Sequence, residues 1–305
     1  YRLGMEEYDK GDSVSIGNSV TYFKRALDIN PYYFQALKGI GMAYFRLDHH
    51  SLAVEHLTRA LRQKPGDPEA NLYQAQALMA LGRVEEAKQH IDRVLRTEPR
   101  SVLALYTDAL YWLRKGRRDL ALSRLAAVRN IQPSFHLVWI RLGELFAQAG
   151  KYAEAESHLR QAIVNNTNSP EGYLALGKFL SDRGRIAEAV LPLSTALSLD
   201  AGLLDVLQLL GRIHFKLGEW DKALDIYTRL TSRLPYSHLA RYALALTTAE
   251  LAATDSTKAE DAVRLFEEAL VLRNNDEIIR YAFEDFAVRA LPIRHPARAK
   301  LSRHH

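Results

Sequence analysis

The stretch that decides the fold is VWIRLGELFAQAGKYAEAESHLRQAIV, Val138 to Val164. In its first half Trp139, Leu142, Leu145 and Phe146 stand at i, i+3, i+6 and i+7, the spacing of one helical face. Gly150 breaks that pattern where a helix end calls for a left-handed residue. A second amphipathic run, Tyr152 to Val164, carries Ala155, Leu159 and Ala162 on its inner face. The stretch therefore reads as two helices joined at a glycine. Gly143 and Ala155 mark where they cross, because small side chains let two helix backbones approach.

The same unit recurs along the chain. Pro31, Pro65, Pro99 and Pro133 stand 34 residues apart, and their phase runs on through Thr167 and Ala201 to Pro235. One alanine series holds Ala53, Ala87, Ala121, Ala155, Ala189 and Ala223. A glycine series holds Gly82, Gly116, Gly150, Gly184 and Gly218, with Asp48 in the preceding slot. Gly41, Ala75, Ala109, Gly143, Gly177, Gly211 and Ala245 form a second small-residue series, and Leu57, Ile91, Leu125, Leu159, Leu193 and Tyr227 a large apolar one. Independent series in one register mean a repeat architecture. A single helix pair cannot bury its apolar face, so stacked neighbours must cover it. Asp67-Pro68 and Ser169-Pro170 supply a capping residue followed by proline at the first helical position.

Trp139, Leu142, Gly143, Phe146, Gly150, Tyr152, Ala155, Leu159 and Ala162 together resemble a tetratricopeptide repeat, and the resemblance covers nearly the whole chain. It implies an all-α fold, a right-handed superhelical solenoid of antiparallel helix pairs. A partial repeat at 1–33 precedes units at 34–67, 68–101, 102–135, 136–169, 170–203 and 204–237. An eighth begins at His238 and regains register only if about five residues are inserted near Ala252–Ala259, with Thr254 to Thr257 as the lengthened turn. Asp276 to Leu291 reads as a capping helix. Residues 1–291 are thus expected to form one solenoid, followed by a basic tail at 292–305. In that tail His295-Pro296, Ala297, Ala299 and Leu301 look like the start of a further helix, so the natural protein is expected to continue; His304 and His305 read equally as native or as an added remnant. Gly11 to Asn18 is expected to lengthen the first turn. Pro192, inside a second helix, is expected to kink it or shift its start.

Composition narrows the chemistry. The 305 residues contain no cysteine, which excludes a disulfide framework, a thiolate zinc site and a cysteine nucleophile. The longest uncharged run, Ala70 to Gly82, is 13 residues, and Ala189 to Leu199 is 11; both are too short to span a bilayer, so no membrane insertion is expected. The chain opens at Tyr1 without a basic-then-apolar leader and reads as a processed or excised form, leaving cytoplasm and periplasm both open. Lys+Arg total 41 against 36 Asp+Glu. The surplus lies in 286–305, where Arg289, Arg294, Arg298, Lys300 and Arg303 meet no acid. Residues 1–285 are formally neutral and give no reason to expect nucleic acid.

No catalytic motif is present: no G-x-x-x-x-G-K-[ST], G-x-G-x-x-G, H-E-x-x-H or G-x-S-x-G. No enzyme, cofactor or metal is expected. His49-His50 reads as an exposed turn, His214 as a packed core residue in the slot of Tyr44, Trp112 and Phe146, and Glu85-Glu86 and Glu267-Glu268 as solvated salt-bridging faces.

The resemblance implies a concave groove lined by the first helix of each unit. Its groove-facing slots fall here on Lys38, Phe45, Arg46, Tyr73, Gln76, Tyr106, Arg114, Arg141, Glu144, Lys178, Asp182, Arg212 and Lys216, with Tyr242 in the irregular unit. Tyrosine and arginine are the side chains interfaces favour. Lys38, Arg46, Tyr73, Tyr106, Arg114, Arg141, Lys178, Arg212, Lys216 and Tyr242 are therefore the partner-binding candidates. Arg141, Lys178, Arg212 and Lys216 suggest a basic strip for an acidic peptide, set against Glu144, Glu171, Asp182 and Asp205 on the same face. A carboxylate clamp needs lysine at the fifth slot and asparagine at the ninth; Lys38 is followed by Met42 and Leu72 by Gln76, so that subclass is excluded. A regular asparagine ladder is absent too. The expected function is a non-catalytic scaffold that binds a peptide segment or partner helix. The rivals are an RNA-binding helical-repeat protein and an assembly or homo-oligomerisation module of a longer chain. The fifth slots Lys38, Leu72, Tyr106, Ile140, Leu174 and Gln208 form no one-base-per-repeat code.

Overall fold

The 34-residue phase translates into a backbone in which first helices end on a left-handed residue. Gly82 (φ 77°), Gly116 (72°), Gly150 (76°), Gly184 (77°) and Gly218 (71°) occupy those turns, and Asp48 takes the same conformation at φ 59°. A Cβ there costs about 1–2 kcal/mol, which is why glycine recurs. Each turn closes with the same long backbone bond, for example Arg83 N to Leu78 O at 2.8 Å and Lys151 N to Phe146 O at 2.9 Å.

The computed structural model describes residues 1–273, 276–292 and 295–301. Among them are helices and no strand. The pairs are α1 (Arg2–Lys10) with α2 (Ser13–Ile29), α3 (Phe34–Arg46) with α4 (His50–Gln63), and α5 (Pro68–Ala80) with α6 (Val84–Thr97). Next come α7 (Val102–Arg114) with α8 (Arg118–Ile131), α9 (His136–Gln148) with α10 (Tyr152–Asn165), and α11 (Pro170–Asp182) with α12 (Ile186–Leu199). Then follow α13 (Leu204–Lys216) with α14 (Trp220–Arg233), α15 (His238–Ala252) with α16 (Ala259–Leu272), and finally α17 (Glu277–Ala290) and α18 (Pro296–Leu301).

The chain divides into two compact units, and the division runs through α11 and α12. Unit 1 holds Tyr1–Phe179 with Thr195–Gly202; unit 2 holds Leu180–Ser194 and the described residues from Leu203 onward. In unit 1 the first helices α1, α3, α5, α7 and α9 pack on their own second helices, and α1 also reaches α3, α3 reaches α5 and α5 reaches α7. Its core holds Phe23, Ile40, Leu57, Ile91, Leu125 and Leu159. In unit 2, Ile213 and Tyr227 are buried, and the rings of Phe266 and Phe283 stack at 5.1 Å.

The small-residue series do what their spacing implies. All six alanines from Ala53 to Ala223 are fully buried. A Cβ added at Gly41 would stand 2.6 Å from Leu57, and one at Gly143 2.7 Å from Leu159. The helix pairs therefore touch backbone to side chain with no space to spare. At the N-cap of α5, Asp67 accepts from Ala70 N at 2.8 Å, with Pro68 at the first position.

Three irregularities resolve. The extra residues near the N-terminus enter a helix and do not lengthen a turn: α2 runs 17 residues from Ser13, whereas α4 runs 14. Asp12 sets this start, because its carboxylate caps Ser15 N at 2.9 Å. In the eighth unit α16 begins at Ala259, and a short 3-10 turn, Ser256–Lys258, fills the insertion. Pro192 lies within α12 without moving its start, for Ile186 keeps the phase of Tyr152 and Trp220. In the tail α18 forms from Pro296; Arg294, Arg303, His304 and His305 lie outside the described residues.

A candidate binding groove on the first helices of unit 1

The groove side of unit 1 is built by side chains that repeat from one first helix to the next. Phe45 on α3, Met79 on α5, Leu110 and Leu113 on α7, and Leu137 and Leu145 on α9 line a concavity of about 710 Å3. Charged groups rim this apolar floor: Arg114 at the end of α7, Arg118 opening α8, Arg141 and Glu144 on α9, and Asp48 in the α3–α4 turn.

The rim charges are not equivalent. Arg141 is half-buried and donates to Tyr106 Oη at 3.2 Å and to Glu144 Oε2 at 2.6 Å. Burial works against its charge, but Tyr106 and Glu144 outweigh this and raise its pKa above the ordinary guanidinium value. Burial likewise pushes the Tyr106 hydroxyl up. Among the described residues Arg118 reaches only a neutral partner, Gln148 Oε1 at 3.2 Å. Arg114 is exposed and makes no ion pair among the described residues. Among the described residues these two rim guanidiniums form no ion pair, while the Asp48 carboxylate lies on the same rim.

Of the candidates read from the sequence, Tyr106, Arg114 and Arg141 converge on this concavity. Lys38, Arg46 and Tyr73 belong to a neighbouring cluster. There Lys38 is ion-paired with Glu69 at 2.7 Å and Asp67 at 3.7 Å. Arg46 lies 5.4 Å over the Tyr8 ring and donates to Gly11 O at 2.8 Å. The Tyr73 hydroxyl bonds that of Tyr8 at 3.2 Å, and its ring meets Phe45 edge-on at 5.6 Å. Lys178 is exposed in unit 1, while Arg212 and Lys216 are exposed in unit 2. Tyr242, also in unit 2, is half-buried with its ring 6.3 Å from Phe266 of α16. Met79, Leu110, Leu113, Arg118, Leu137 and Leu145 also line the concavity but were not among the slots read from the family pattern. Phe45, Met79 and Leu113 stand 34 residues apart, so following the Phe45 slot along the period would have found Met79 and Leu113.

The remaining polar residues are structural in their contacts. His214 is 5% exposed with Nδ1 on the Glu219 carboxylate. His49 is exposed, but His50 is half-buried 5.5 Å from the Phe45 ring. Glu85 and Glu86 pair with Lys115 and Arg83, both at 2.7 Å. Ser169 Oγ lies 3.1 Å from His136 Nε2 and also bonds Glu171. That trio lacks nucleophile geometry, because the carboxylate bonds the serine and not the histidine. Among the described residues no three His, Asp or Glu side chains converge as metal ligands, and no helix is long and apolar enough to cross a membrane.

Three family models, each described as a tetratricopeptide repeat, match residues 1–68, 48–108, and 137–179 with 204–247. The TPR repeat-containing protein YpiA of Bacillus subtilis (strain 168) is 23% identical over 249 residues, which cover 81% of this chain and 57% of that relative. The chain therefore spans little more than half the length of that relative. Among solved structures, the APC/C hetero-tetramer Cut9-Hcn1 superposes with a TM-score of 0.57 at 17% identity, covering 93% of this chain and 53% of that one. The human IFIT1 dimer with m7Gppp-AAAA gives a TM-score of 0.66 at 17% identity, covering 90% and 68%. At such identity the likeness is one of fold.

Proposed function

Since this chain belongs to the tetratricopeptide repeat family, we propose that it is a non-catalytic protein-interaction scaffold whose unit 1 groove receives an acidic segment of another protein. The observation that supports this reading is the combination of an apolar floor with two guanidiniums, Arg114 and Arg118, that form no ion pair among the described residues. An apolar floor rewards burial of a partner's hydrophobic side chains. Forked guanidiniums at its rim pair with carboxylates bidentately and set orientation. Lys178 in unit 1 and Arg212 and Lys216 in unit 2 extend the supply of exposed cations, each within its own unit. Cut9, a neighbour in fold, assembles with another protein, Hcn1.

An RNA reading has one observation in favour, the m7Gppp-AAAA present with the IFIT1 neighbour. It is disfavoured by the formal neutrality of residues 1–285 and by the absence of a base-reading pattern in the fifth slots.

Pull-down from native extract with the wild-type chain and with the Arg114→Glu/Arg118→Glu double reversal tests the proposal. The expected result is a protein retained by the first and lost by the second, with equal melting temperatures. Retention of the same proteins by both, or retention of RNA with a steep salt dependence, would contradict it.

A further inference from the structure

Repeat arrays hold together through neighbouring units. Unit 1 contains a contact outside that rule. Ser13, the first residue of α2, meets Asp200, the residue after α12, across 187 positions of sequence. Ser13 Oγ donates to Asp200 Oδ2 at 2.7 Å, and Ser13 N donates to Oδ1 at 3.2 Å. The same Oδ1 accepts from Gly202 N at 2.9 Å, and Asp200 is only 6% exposed.

The contact is fitted on both sides. The first amides of α2 have no partner within the helix, and two carboxylates take them up: Asp12 caps Ser15 N, and Asp200 reaches Ser13 N from the far end of the unit. A carboxylate is favoured there by the helix dipole. Gly202 allows the approach, since a Cβ at that position would stand 2.7 Å from Ser13 Cβ and 3.1 Å from Asp200 Oδ1.

We propose that Ser13 and Asp200 form a clasp that fixes the curvature of the unit 1 groove. In an array joined only through neighbours, curvature is the sum of small rotations between successive helix pairs, and a partner can adjust each of them. Tying together two points 187 residues apart fixes that sum. The groove is then held ready for a partner of matching curvature, which binds without ordering it. A partner of different curvature must first open the clasp. The functional meaning rests on the groove reading, but the clasp itself is testable without any partner.

Because the chain contains no cysteine, the Ser13→Cys/Gly202→Cys variant carries only two thiols. A disulfide needs their Cβ atoms roughly 3.5–4.5 Å apart, about an ångström more than the wild-type geometry supplies. Mild oxidation in dilute solution is expected to give an intramolecular disulfide in the folded monomer. Thiols that stay free, or that link only between molecules, would overturn the clasp. Asp200→Ala supplies the second measurement. Hydrogen exchange in peptides covering 10–16 and 200–204 should accelerate at least about tenfold, as loss of a charge-assisted hydrogen bond implies, while α5 to α9 exchange as before. Unchanged protection at 10–16 in that variant would equally contradict it.

Discussion

Arg141 on α9 and Tyr106 on α7 are joined by a 3.2 Å hydrogen bond, one position beyond a full repeat. Arg46 behaves likewise, reaching Gly11 O 35 positions earlier. Each arginine thus commits a hydrogen bond to the preceding repeat. The buried tyrosine, 5% exposed, is therefore a brace between repeats more than a surface offered to a partner.

It follows that Tyr106→Phe should lower stability by about 1 kcal/mol, the net worth of one hydrogen bond. Urea denaturation checks this. An unchanged midpoint would mean that the bond contributes nothing in solution.

At the helix crossing, Gly143→Ala should destabilise by about 1–3 kcal/mol through overpacking. The new methyl would meet Leu159 at 2.7 Å and the Ala155 carbonyl oxygen at 3.2 Å. Leu159 can shift, but the carbonyl belongs to the facing backbone. Ala155→Leu should cost a similar amount for the same reason, and thermal melting of both variants reads it out.

Asp48 is the one described non-glycine residue at positive φ, in the turn where five other units carry glycine. Asp48→Gly should therefore stabilise by about 1 kcal/mol. Its contact with His50 Nε2 is 3.7 Å long and the carboxylate is almost fully exposed, so little is lost. A lower melting temperature in the variant would refute the strain.

His56, His90 and His158 share one slot of the 34-residue phase, with Arg124 between them. Burial pulls all three below the ordinary imidazole value of 6.5; Arg59 and Lys24, Arg93, and Arg129 respectively add to this, and Glu55, Glu86 and Glu154 oppose it. His56 stacks on Tyr44 at 5.6 Å, His90 Nδ1 bonds Asn71 Oδ1 at 2.8 Å, and His158 packs against Phe146 at 4.9 Å. Since the unfolded chain takes up these protons more readily, their contribution is complete above pH 6.5 and is lost as pH falls below it towards the lower folded values. Replacing all three by Gln should flatten the fall in melting temperature between about pH 8 and about pH 5.5. An unaltered slope would assign the acid sensitivity to carboxylates instead.

These residues also show what a repeat sequence exposes and what it hides. Ala155, Gly143 and Gly150 were legible because packing and turn geometry recur with the period, and equivalent positions can be compared directly. The start of α2 was not, because the capping carboxylate of Asp12 draws the extra residues into the helix and no other unit has its equivalent. Groove-facing slots located Tyr106, Arg114 and Arg141, but a slot gives direction without partners. It could not tell the tied Arg141 from the unpaired Arg114, nor bring in Arg118 from a second helix. The Ser13–Asp200 contact joins positions that no comparison of equivalent slots places together.

The central claim, that a protein segment lies in the unit 1 groove, is tested most directly by site-specific photocrosslinking in native extract. The photoreactive residue is placed at Leu113 in the groove or at the exposed Arg96 on α6 as a control. The account predicts a discrete adduct from Leu113 that protease destroys, that ribonuclease leaves intact, and that Arg114→Glu/Arg118→Glu abolishes. Adducts of equal yield from both positions, or an adduct removed by ribonuclease, would contradict it.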